Sequence, residues 1–365
     1  MSKAAELAKW GEVSTNGQVS GRRNIVYNGG MQVAQRSASE TGLGAASGYF
    51  TCDRWFMGEN DASAGRFTMS QTADGPVGFA NCLKLDCTTA DTSIAAGELL
   101  QIIQKFEGQD LQSIGKGVTG AKEITVSFYV KANAAFDFAG ELYDYDNTRQ
   151  ISRLFSTTTD WVRHEFTFPA DVDDGSSPFG DDNAASLQLG FFLHGGSTFT
   201  SGTLNTTAWA NATNANRAAG IDSFFSSTDN NFFITGVQME VGSVATPFEH
   251  RSFGEELQLC KRYFNQIGGQ TAYQNIIQTM WISDNTAVSP YYHRPALRAT
   301  PTIAKLQNYS HLGPGTIGQT LSTDQNGLNS VQFGFSGGSG GTSGISVVLR
   351  GNNNSGVYIT FDAEL

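Results

Sequence analysis

Hydrophobic and polar residues alternate with a period of two along several stretches of this chain, the pattern of a half-buried β-strand. It is clearest at Ile124-Thr125-Val126-Ser127-Phe128-Tyr129-Val130-Lys131. The same reading predicts strands at Asn24–Gly30, Met31–Arg36, Tyr49–Met57, Leu187–Leu193 and Phe232–Val241, and at Trp161–Phe168, which Pro169 stops. Further strands are expected at Ile276–Ile282, Ile345–Leu349 and Val357–Leu365. Turn clusters rather than helices separate them, so the pattern predicts an all-β fold of sandwiches and not an α/β sheet. Pro290, Pro295 and Pro301 restrict their segment to edges and loops, and glycine-rich Gly337–Gly344 reads as a long exposed turn.

One stretch carries the helical period instead. Ser252-Phe253-Gly254-Glu255 has the spacing of a capping box, in which a serine and a glutamate satisfy each other's backbone N–H groups. Phe253, Leu257, Cys260 and Phe264 then share one face, and Arg262 suits the negative end of the helix dipole. Residues 3–10 form a shorter amphipathic segment, with Ala4, Leu7 and Ala8 on one side. It is too short to be stable alone, so it must pack on its own protein or on a partner. A glycine-rich linker, Gly11–Gly21, follows. The predicted organisation is an attachment segment over 1–22, a β-sandwich over 23–251, a connecting helix over 252–264 and a second β-domain over 265–365.

Composition narrows the class. Hydrophobic residues at 39% and aromatics at 11% can fill a packed core, which excludes a disordered chain. The 25 phenylalanines favour strands. The formal charge of −11 repels phosphate backbones and speaks against nucleic-acid binding. No apolar run is long enough to cross a bilayer. The N-terminus lacks the apolar core of a secretion signal, so the protein is expected to be made in a cytoplasm and to leave by lysis if it leaves. Cys52, Cys82, Cys87 and Cys260 form no C-x-x-C pair and read as small core residues.

Motifs of catalysis are weak. Gly313–Gly318 matches G-x-G-x-x-G, but no helix is signalled after it to meet a phosphate; it reads as a glycine turn. Gly337-Gly338-Ser339-Gly340-Gly341 matches G-x-S-x-G without the strand-to-helix context of a nucleophile elbow. The histidines at 164, 194, 250, 293 and 311 have no zinc spacing, and the N-x-S/T matches read as chance. Glu141, Asp144 and Asp146 are carboxylates that glycan hydrolysis could use, although alternation within one strand explains their spacing as simply. With no nucleophile or acid/base pair signalled, the chain is expected not to be an enzyme.

Three places invite a ligand. Tyr143 and Tyr145 flank Asp144; alternation puts both rings on one strand face, which either meets a sugar or is core. Tyr291, Tyr292 and His293 lie between prolines, where an exposed aromatic cluster would suit a receptor. Asp171, Asp173, Asp174 and Asp181, with Asp182, crowd one loop that is either a solvated acidic loop or a structural calcium site; no other cofactor is expected.

Arg23–Arg36, Ile234–Gly242 with Ala245–Glu249, and Cys260–Phe264 together resemble the tail-fibre and particle-surface proteins of bacteriophages and prophages, many from marine and cyanobacterial hosts. The opening Met1–Leu7 is similar to the start of such proteins, and the central region resembles carbohydrate-binding jelly rolls. The resemblance covers most of the chain and carries no catalytic motif. It implies a virion component on tail or capsid, a homotrimer held to other virion proteins through its N-terminus, with an outer domain that meets host surface glycan. Phe253, Leu257, Cys260 and Phe264 would supply the trimer with an a/d-like seam. A capsid-attached decoration protein without a receptor role, or a polysaccharide depolymerase, are the alternatives; the β-helix repeat usual in depolymerases is not visible.

Overall fold

The computed structural model describes Lys3 and residues 22–60, 63–172, 177–269, 271–306, 309–353 and 356–365. The attachment segment expected over 1–22 therefore lies, apart from Lys3 and Arg22, outside the described residues. The chain divides into two compact units, one running to Glu256 and a second spanning Leu257–Glu364. No helix among the described residues is long and apolar enough to cross a membrane.

The first unit contains β1 (Ser39–Leu43), β2 (Gly48–Tyr49), β3 (Phe56–Asn60), β4 (Arg66–Thr72), β5 (Cys82–Thr89), β6 (Leu99–Glu107), β7 (Ile124–Ala132), β8 (Asp137–Asp144), β9 (Arg149–Ser156), β10 (Val162–Phe168), β11 (Ala185–Gly195), a one-turn helix α1 (Ser197–Thr200), β12 (Ala210–Asn211) and β13 (Asn231–Val241). They form a six-stranded sheet in the order β1-β4-β5-β13-β7-β10 and a seven-stranded sheet in the order β12-β9-β8-β11-β6-β3-β2. Every other residue of each sheet enters one shared core: Leu83, Leu85, Val126, Phe128 and Ile234 from the first, Leu100, Ile102, Leu142, Leu189 and Phe191 from the second. Phe128 makes edge-to-face contacts with Phe155 at 5.1 Å and Phe191 at 4.9 Å, tying the sheets together. Each such buried ring contributes roughly 1.5–3 kcal/mol. This unit is a β-sandwich, as the alternation predicts.

The second unit follows α2 (Phe253–Lys261), with β14 (Phe264–Gly268), β15 (Asn275–Trp281), β16 (Thr286–Tyr292), β17 (Thr302–Leu306), β18 (Tyr309–Leu312), β19 (Thr320–Asp324), β20 (Ser330–Ser336), β21 (Ser346–Gly351) and β22 (Tyr358–Asp362). A three-stranded sheet β14-β22-β17 and a six-stranded sheet β18-β21-β15-β16-β20-β19 share a core of Trp281, Phe333, Phe335, Leu349, Ile359 and Phe361. Pro290 is tolerated in β16 because β15 pairs only with Ala287 and Val288, leaving the proline's side of the strand open. The two glycine motifs meet as turns: Thr316 and Ser339 exchange backbone hydrogen bonds, and the G-x-G-x-x-G leads into strand β19. All four cysteines are buried.

Three predicted elements differ. Asn24–Gly30, mostly buried, and Met31–Arg36, partly buried, are irregular and not strands. Asn28 and Met31 take φ of 53° and 54°, which turns the backbone out of a ladder. Side chains replace the ladder bonds: the Asn28 amide donates to the carbonyls of Val33 and Asp53 and accepts from Val33 N–H, while Asn28 N–H donates to Glu256. Gln104 exchanges two hydrogen bonds with the Tyr27 backbone, and Glu249 accepts from the N–H groups of Arg23 and Asn24. The backbone comes so close to β13 that a Cβ at Gly29 would stand 2.1 Å from the Val237 carbonyl oxygen. Tyr49–Met57 is likewise split between β2 and β3 by a turn.

The helix begins as expected. Ser252 Oγ accepts from Glu255 N–H at 3.3 Å, and Ser252 N–H donates to Glu255 Oε2 at 2.9 Å. It ends at Lys261 rather than 264, because Phe264 starts β14 and pairs with Asp362. The expected seam is therefore not continuous. Phe253 is 56% exposed and Leu257 half-buried, whereas Cys260 and Phe264 are buried.

Candidate functional site

The seven-stranded sheet turns one face to the core and the other outward, and the register of its strands fixes what lies on the outer face. One row reads Gln150, Tyr143, Gln188 and Lys105 across β9, β8, β11 and β6. The next reads Ser152, Glu141, Gly190, Ile103 and Phe56, and a third Leu154, Ala139, Phe192, Gln101 and Gly58. The segment around α1 covers Ala139 and Phe192 in a small apolar cluster with Phe199 and Ala218. The remainder of the face is aromatic and polar.

Tyr143 and Tyr145 meet edge to face at 5.1 Å, so the two rings share a face as the alternation requires. Arg217 reaches over β8, binds Glu141 through two hydrogen bonds of 2.8 and 2.7 Å, and places its guanidinium 4.8 Å from the Tyr143 ring. Tyr145, 39% exposed, donates its hydroxyl to Gln188 Oε1 at 2.5 Å. Burial pushes its phenol up to about 12, so it remains a donor at neutral pH. Gln188 Nε2 donates in turn to Gln101 Oε1 at 3.4 Å. Gln101 is only 1% exposed and its Nε2 has no acceptor among the described residues. A Cβ at Gly190 would stand 2.1 Å from that nitrogen, so glycine makes the room in which the amide lies. Lys105 sits 5.7 Å from the Tyr145 ring and 5.4 Å from Phe56; burial, then the charge of Arg54, holds its ammonium below the usual lysine range. The result is a directional chain of donors, tyrosine to amide to amide, beside an aromatic surface.

Asp144 does not belong to this face. It lies on the opposite side of β8, fully buried, where Lys116 Nζ approaches its carboxylate to 2.7 Å and Asn147 donates through both N–H groups. Glu141 and Asp144 thus point away from each other, and Asp146 accepts from Gly180 N–H at 2.9 Å.

The acidic loop is also differently built. Asp171 is buried against Arg149, with two hydrogen bonds of 2.9 Å, and lies 3.7 Å from Lys116. Its charge is met by protein cations, which a calcium ligand would not need. Asp181 is exposed, Asp173 and Asp174 lie outside the described residues, and no metal-holding group of three such side chains occurs among the described residues. In the second unit Tyr291 stacks on Phe361 at 5.0 Å and His293 is buried beside both rings, so only Tyr292, 65% exposed, projects outward.

No family model and no curated protein matches the chain. Among solved structures it is similar to TmCBM61 in complex with β-1,4-galactotriose, at 11% identity over 60% of this chain and 99% of that one, with a TM-score of 0.30. It is similar to the family 11 carbohydrate-binding module from Clostridium thermocellum at 12% identity, over 57% and 99% of the two chains, with a TM-score of 0.27. A third is the CBM22-1 xylan-binding domain from Paenibacillus barcinonensis, at 11% identity over 52% and 87%, TM-score 0.26. These scores equate no residue of this chain with a ligand-binding residue of those modules.

Proposed function

We propose that this protein is a non-enzymatic attachment component of a bacteriophage particle, and that it recognises a glycan of the host surface on the outer face of the seven-stranded sheet. The observation that carries the reading is the donor chain Tyr145–Gln188–Gln101 beside two contacting tyrosine rings. A pyranose offers C–H faces to the two aromatic rings and hydroxyls that can donate to the Tyr145 oxygen, whose own proton is held by Gln188. The sequence resemblance supplies the virion setting, assembly as a homotrimer and attachment through residues 1–22. The reading as a binder and not a hydrolase rests on the sequence, which signals no nucleophile or acid/base pair.

The test is binding of the purified full chain to a panel of bacterial surface polysaccharides by biolayer interferometry. Tyr145→Ala removes a ring and the head of the donor chain, so affinity should fall roughly tenfold, the equivalent of about 1.4 kcal/mol. Gln101→Leu takes the acceptor from the buried Gln188 amide and cuts the donor chain, so it should weaken binding while lowering stability by about 1–3 kcal/mol. Equal binding by wild type and both variants would refute the assignment to this face.

A further inference from the structure

The opposite side of the first sandwich carries a second cleft that the proposed face does not use. It holds about 380 Å³ and is lined by Gly30, Gln32, Phe79, Asn81, His250 and Phe253, among others. The connection between β4 and β5 crosses the outer face of the six-stranded sheet here, and Thr235 Oγ1 fastens it by donating to the Asn81 carbonyl at 2.8 Å. Gly236, at φ 62°, makes the crossing close: a Cβ there would stand 2.7 Å from the Phe79 ring and 2.9 Å from Tyr129. Phe79 consequently lies 5.3 Å from the Tyr129 ring, 4.9 Å from Phe248 and 5.2 Å from His250, and Phe248 and His250 are 4.9 Å apart.

The chemistry of the lining selects a ligand class. It has no Lys, Arg, Asp or Glu, so a charged ligand would find no counter-charge. A purely apolar ligand would cover the side-chain amides of Gln32 and Asn81, which make no hydrogen bond among the described residues, and leave them unsatisfied. An uncharged ring with apolar faces and hydroxyl edges meets both conditions. We infer that this cleft is a second, independent saccharide site, taking one neutral pyranose unit between the Phe79–His250 ring surface and the amides of Gln32 and Asn81. Two sites on opposite sides of one sandwich would let a single chain engage two glycan strands, which raises avidity without any new contact.

Saturation-transfer NMR on the full chain tests this with three probes: methyl α-glucopyranoside, methyl α-galactopyranoside and N-acetylglucosamine. At least one should show saturated ring protons with wild-type protein. That signal should persist in Tyr145→Ala, which disables the other face, and correspond to roughly tenfold weaker binding in Asn81→Ala, a substitution at the surface of the fold. Phe79→Ala should abolish it, with circular dichroism confirming that the sandwich remains folded. No saturation with any probe, or loss of the signal in Tyr145→Ala whatever Asn81→Ala does, overturns the inference. The polysaccharide assay on the first face can succeed or fail separately.

Discussion

Replacing Asp171 by alanine distinguishes three readings of the acidic loop. Lys116, Asp144, Arg149 and Asp171 form a quartet with side chains at most 5% exposed, in which two cations face two carboxylates. Arg149 also donates to the Trp209 carbonyl at 3.1 Å and Lys116 to the Ser177 carbonyl at 2.9 Å. Removing Asp171 takes from Arg149 a carboxylate held by two hydrogen bonds of 2.9 Å and upsets the charge balance of the quartet. Breaking a buried pair in this way costs about 3–5 kcal/mol. For a unit of this size that lowers Tm by roughly 6–20 °C, at about 2–4 °C per kcal/mol. A solvated acidic loop would instead change stability by less than about 0.5 kcal/mol. A calcium site would give a wild-type Tm that falls on adding EDTA and recovers with calcium, whereas the quartet predicts no response. Differential scanning calorimetry of wild type and Asp171→Ala, each with and without EDTA, reads all three outcomes. The double variant Arg149→Met, Asp171→Leu should regain most of the loss, since it buries no unpaired charge. A single-variant loss under about 1 kcal/mol would refute the quartet as a structural element.

Two further predictions concern pH. Burial raises the Glu59 carboxyl from 4.5 to about 7, with Arg66 and the Ala46 backbone opposing only in part. The folded state therefore holds a proton that the unfolded state releases, so this group's contribution is present below pH 4.5 and lost as pH rises through about 7; urea titrations should show a flatter slope in Glu59→Gln than in wild type across that range. His194 moves the other way: burial lowers its ring below the ordinary 6.5 despite Glu98, so its contribution is present above 6.5 and lost as pH falls through the folded value. The midpoint of its ring resonances in a histidine NMR titration should lie below 6.5, and a midpoint at or above that value would contradict the burial argument.

The strands most readable in the sequence are those with one side in the core and the other polar, such as β7, where Val126, Phe128 and Val130 alternate with Thr125, Ser127 and Tyr129. Strand β6 was not readable in that way. Its Leu99-Leu100-Gln101-Ile102-Ile103-Gln104 run does not alternate, because its outer side is covered as well as its inner side. Asn24–Arg36 shows the converse: alternation is present, but asparagine side chains compete for the backbone groups and the chain turns at Asn28. Phe264 satisfied a helical period and a strand equally well, and pairing with β22 decided between them.

The site was half legible for a related reason. A spacing of two places the Tyr143 and Tyr145 rings together, and the same spacing removes Asp144, the residue between them, to the core side of β8. Its carboxylate then requires a buried cation, and nothing local in the sequence identifies Lys116 as that cation. Gln101, Gln188 and Arg217 reach the tyrosines only because β11 runs between β8 and β6 and because the chain returns over the sheet after α1. The trace such residues leave in sequence is an amide set in an apolar run, as in Leu187-Gln188-Leu189 and Leu100-Gln101-Ile102. That trace has a physical meaning. The buried carboxylates Glu141, Asp144 and Asp171 have cations within the fold, whereas the buried Gln101 amide nitrogen ends the donor chain with no acceptor among the described residues. Charges so paired are committed to the fold, and the polar group that stands exposed beside the rings, the Tyr145 hydroxyl, is neutral, which favours hydroxyl-bearing partners over ionic ones.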